Sequence, residues 1–80
     1  MSFSPAEIRE ENRKLAYLRF LVDQALRLIR TGEVSHEQAA RMVANIRAQA
    51  LTLFPGKEAV FDLIYQPRFQ RAITETFRLH

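Results

Sequence analysis

The stretch SPAEIREENRKLAYLRFLVDQALRLIRTG, residues Ser4–Gly32, decides the fold. Ser4 precedes Pro5 and Glu7 follows, so the segment opens with the residues of a capping box and a proline at the first helical position. No Gly or Pro then occurs until Gly32. Arg27 and Arg30 fall in the last turn, where positive charge favours the carbonyl end of a helix. Ile8, Leu15, Leu18, Val22, Ala25 and Ile29 recur at three-four spacing and share one face. Leu21, Leu26 and Leu28 widen that face to an arc of roughly 160°, broader than the usual stripe. Arg9, Arg13, Asp23 and Arg27 take the opposite side. Glu10 with Lys14, and Asp23 with Arg27, are spaced as i,i+4 ion pairs.

Working outward, Ser35-His36-Glu37-Gln38 is a second capping box, with Val34 placed to staple onto Ala39. Its helix carries Ala39, Met42, Val43, Ile46, Ala50 and Leu53 on one stripe and stops at Phe54-Pro55-Gly56. A short apolar segment follows, with Val60, Phe61, Leu63 and Ile64, and Gln66-Pro67 interrupts it. Phe69, Ile73 and Phe77 repeat at i,i+4 beyond the break, with Arg68, Arg71, Glu75 and Arg78 on the outer side. No segment alternates in the manner of a strand.

The expected fold is therefore an all-α single domain spanning residues 1–80. It is a small bundle of three long helices, the third kinked or split at Pro67, with helices over 5–30, 36–53, 57–65 and 67–79. The first helix, about 39 Å long at 1.5 Å per residue, exceeds what a compact domain of this size covers. Its poorly apolar end, Pro5 to Lys14, is expected to protrude. The wide Leu-rich face needs either two flanking helices or a second chain, which makes a homodimer through helix 1 one expectation.

With no Cys and only His36 and His80, a disulfide scaffold and any Cys-containing zinc site are excluded. No metal and no cofactor is expected. Twelve basic and nine acidic residues leave a formal charge of +3. Residues 1–34 hold six basic and five acidic groups, 35–54 two and one, and 55–80 four and three. The excess is thus +1 in each third, without the block of basic residues that marks a dedicated phosphate-binding segment. No apolar run approaches the roughly 20 residues of a membrane span, and the reading is a cytoplasmic protein without a membrane segment.

Chemistry-bearing motifs are few. Both glycines stand alone, so no phosphate loop is present, and Glu58 follows Lys57 where such a loop has Ser or Thr. Glu10-Glu11 and Glu58 with Asp62 are carboxylate pairs without an implied pocket. The expectation is a protein that is not an enzyme. Two constellations are candidate partner surfaces. Arg9, Arg13, Phe20 and Arg27, with Gln24, fall on one side of helix 1, and Tyr65, Arg68 and Arg71 surround the Pro67 corner. Aromatic and Arg residues are enriched at interaction hot spots, and both sets are also suited to stacking on single-stranded RNA. The function expected is a protein-interaction or assembly module, binding itself or another protein. The alternative is a nucleic-acid-binding accessory protein that uses dispersed arginines.

Overall fold

The computed structural model describes residues 4–78. Four helices follow in order: α1 (Pro5–Arg30), α2 (His36–Leu53), α3 (Glu58–Ile64) and α4 (Gln66–Phe77). Leu79, the expected last helical residue, and His80 lie outside the described residues. Phe77 is the last helical residue within them.

The helix ends form for the reasons read from the residues. Ser4 Oγ accepts the Glu7 backbone N–H at 3.2 Å. The full reciprocal box forms at α2, where Ser35 Oγ accepts the Gln38 N–H and Gln38 Oε1 accepts the Ser35 N–H. α1 ends in a Schellman motif: Gly32 N–H reaches Ile29 O at 3.2 Å and Glu33 N–H reaches Leu28 O at 3.2 Å. That motif needs a left-handed residue, and Gly32 supplies it with φ +74°. Gly56, at φ +80°, turns the chain after Pro55 in the same way.

α3 and α4 are two parts of one bent arm. Pro67 bends it as expected, while the interruption itself falls two residues earlier, at Tyr65. Proline has no N–H to give the Leu63 carbonyl, so the regular ladder lapses one turn upstream. Pro67 is then the second residue of α4, where a missing donor leaves nothing unsatisfied.

α1 lies between α2 and α4, packed against both. The wide Leu-rich arc is thus flanked by two helices of its own chain. Val22 and Ile29 of α1, Ala39 of α2, and Phe69 and Ala72 of α4 are completely buried. Small residues carry much of the contact: Ala25, Ala39, Ala50 and Ala72 let the helix backbones approach closely. Leu21, Val34, Ile73 and Phe77 close the core from its edges.

The molecule is elongated, 51 × 21 × 16 Å, with a radius of gyration of 14.5 Å. A compact chain of this length would have about 12 Å. The excess comes from α1. Every residue from Ser4 to Arg13 is exposed, and Ile8 keeps 48% of its surface in solvent.

Candidate interaction surfaces

An apolar groove opens between α1 and α3. Leu15 and Leu18 form one wall, Val60, Phe61 and Ile64 the other, and Ala50 and Leu51 of α2 lie at its floor. Phe54 and Tyr65 also line it, and Lys57 is its one charged residue. The cavity measures about 290 Å³. It exists because α1 and α3 do not pack on each other: their Cα atoms stay more than 8 Å apart.

α3 explains the gap. It has seven residues, and only Phe61 is buried. Val60 is 47% exposed, Ile64 50% and Leu63 78%. A helix this apolar has more hydrophobic positions than one neighbour covers, so its surplus faces solvent along the groove and beyond it.

An exposed ion pair links α3 to α2. Arg47 of α2 meets Asp62 through two hydrogen bonds of 2.8 and 3.0 Å. The hydrogen bond from Arg47 holds the Asp62 carboxyl below the usual carboxylate range, and the same contact holds the guanidinium above its own. Asp62 is thereby committed to a structural bridge. Tyr17 and Gln49 add a side-chain bond of 3.3 Å between α1 and α2.

The two constellations read from the sequence are redistributed. Arg9, Arg13, Phe20 and Arg27 are all exposed on α1, with Phe20 57% exposed. Arg68 and Arg71 are exposed on α4. Tyr65 separates from them: it is half-buried, 5.5 Å from the Phe61 ring, and belongs to the groove. The local ion pairs also differ from the expected spacing. Glu10 pairs with Arg13 at 3.8 Å and Glu11 with Lys14 at 3.4 Å. Asp23 and Arg27 form no ion pair within 4 Å among the described residues.

His36 sits at the start of α2 with its ring edge-on to Phe77, centroids 5.3 Å apart. Among the described residues no group of three or more His, Asp or Glu side chains gathers to hold a metal ion. Among the same residues no helix is long and apolar enough to cross a membrane. The groove was missed by sequence reasoning, although its signal was present in Val60, Leu63 and Ile64 crowding a helix of two turns. The Arg47–Asp62 bridge had no sequence signal, because its partners are 15 residues apart on different helices.

Compared with protein-family models, with curated proteins and with solved structures, the chain has no match.

Proposed function

We propose that this protein is a non-enzymatic assembly module that forms a homodimer through α1. The occupant of the groove in this reading is the projecting half of α1 from a second copy. The observation that carries it is the position of Ile8. This residue lies on the helical stripe of Leu15 and Val22, seven residues before the groove wall, yet it keeps 48% of its surface in solvent. Two such helices laid antiparallel would bring each Ile8 to the other copy's groove, with the two-fold axis between Ile8 and Leu15. Such a contact is isologous and closes after two chains.

On the projecting end Glu10 and Glu11 are paired with Arg13 and Lys14, which leaves Glu7 for Lys57 of the groove it would enter. Burial of Ile8, Val60 and Ile64 supplies the apolar contact on which helix-in-groove recognition relies.

Sedimentation equilibrium tests this reading. The expected result is a concentration-dependent mass reaching twice 9.3 kDa. Ile8→Glu and Ile64→Glu should each return the chain to one protomer with its helical circular dichroism unchanged, since both positions are about half exposed. A wild-type chain that stays at one protomer mass up to about millimolar concentration, where even weak association registers, would overturn it.

A further inference from the structure

The charge that is even along the sequence is uneven in space. α4 runs parallel to the second half of α1: Tyr65 lies across the groove from Leu15 and Leu18, and Arg30 reaches Glu75 at 3.4 Å. α1 from Arg19 onward and α4 with its cap residue Arg78 hold six arginines against Asp23 and Glu75. The remainder of the chain holds six basic against seven acidic groups. The whole positive excess of the protein therefore sits on one pair of helices.

Pairing sharpens the contrast. Both arginines of α2 are engaged, Arg41 with Glu37 and Arg47 with Asp62. On α1 and α4, by contrast, no carboxylate of the described residues lies within 4 Å of Arg19, Arg27, Arg68 or Arg71. These four are exposed. On the outer side of α1, Arg13, Phe20 and Arg27 follow at intervals of seven residues, about 10 Å apart along the helix. Arg13 is the one of these that is paired, through an open contact of 3.8 Å to Glu10 that water and salt readily replace.

We propose that this α1–α4 face binds single-stranded nucleic acid, with Arg19, Arg27, Arg68 and Arg71 on backbone phosphates and Phe20 stacked against a base. Arginine is the basic residue whose planar fork matches a phosphate, and these positions are arginine throughout. The exposed Phe20 distinguishes a nucleic acid from an acidic protein segment, because an unpaired base offers a ring to stack on. It also favours a single strand over a duplex, whose bases are already stacked on each other. Phe20 and Arg27 lie about 100° or more around α1 from Ile8 and Leu15, and neither Arg68 nor Arg71 lines the groove, so this inference is independent of dimerisation.

Fluorescence anisotropy with a labelled oligothymidylate of about 20 nucleotides tests it, using the full chain. Four phosphate contacts predict that the logarithm of affinity falls against the logarithm of salt with a slope near −3. The double variant Arg68→Gln, Arg71→Gln should reduce that slope by about 1.4. Phe20→Ala should weaken binding by about five- to a hundredfold with the slope unchanged. Arg41→Gln, on α2, should leave binding as it is. Duplex DNA of the same length should bind more weakly. Absence of salt-dependent binding would overturn the proposal. So would equal loss in Arg41→Gln, or a polyglutamate peptide that competes as well as the oligonucleotide does.

Discussion

Arg47 and Asp62 join α2 to α3 through two parallel hydrogen bonds, Nε to Oδ1 at 2.8 Å and Nη2 to Oδ2 at 3.0 Å. This bidentate contact is the polar tie on a helix that buries one side chain, Phe61. Asp62→Asn removes the charge and should lower stability at neutral pH. The folded carboxyl lies below its unfolded value, so its contribution is present above about pH 4 and is lost as pH falls through the folded value. Urea midpoints of wild type and Asp62→Asn should therefore differ at pH 7 and converge in acid. A difference that persists in acid would contradict the assignment.

Phe69 and Leu63 are a contrasting pair on the same bent arm. Phe69 is fully buried among α1, α2 and α4, whereas Leu63 is 78% exposed. Phe69→Ala should cost about 3–5 kcal/mol, a large part of the stability of so small a domain. Leu63→Ala should leave the protomer's unfolding free energy nearly unchanged. Denaturant titration of each variant, carried out where the chain is monomeric, measures both.

The helix ends contribute smaller, separable amounts. Ser35→Ala removes the acceptor for the Gln38 N–H and should destabilise by about 1 kcal/mol. Gly56→Ala meets open space, yet its φ of +80° is unfavourable for any side chain. The expected loss is about 1–2 kcal/mol. Thermal unfolding followed by circular dichroism resolves the two, and a neutral Gly56→Ala would show that the turn relaxes.

What was legible in the residues was what depends on near neighbours. Ser4, Gly32, Ser35 and the Phe54-Pro55-Gly56 turn act within a few positions, and the helix bounds follow them. The protruding end of α1 was legible from the helix's length together with the scarcity of apolar residues between Pro5 and Lys14. The break before Pro67 was displaced to Tyr65 because a missing N–H takes effect one turn upstream. The groove and the Arg47–Asp62 bridge were not legible, since both depend on how α3 docks. The charge distribution was misleading when taken in order along the chain. It becomes polarised only when α4 lies beside α1, which no local pattern of arginines discloses.

In the proposed homodimer a second copy fills the groove with the Ile8 end of its α1. The chain contains no Cys, so single cysteines report contacts without interference. Chains bearing Ile8→Cys, mixed under mild oxidation with tagged chains bearing Ile64→Cys, should form a mixed disulfide between the two kinds. Ile8→Cys chains alone should not cross-link, because the antiparallel arrangement holds the two Ile8 positions farther apart than the roughly 7 Å a disulfide spans. Failure of the mixed link, or cross-linking of Ile8→Cys chains to one another, would contradict the antiparallel dimer.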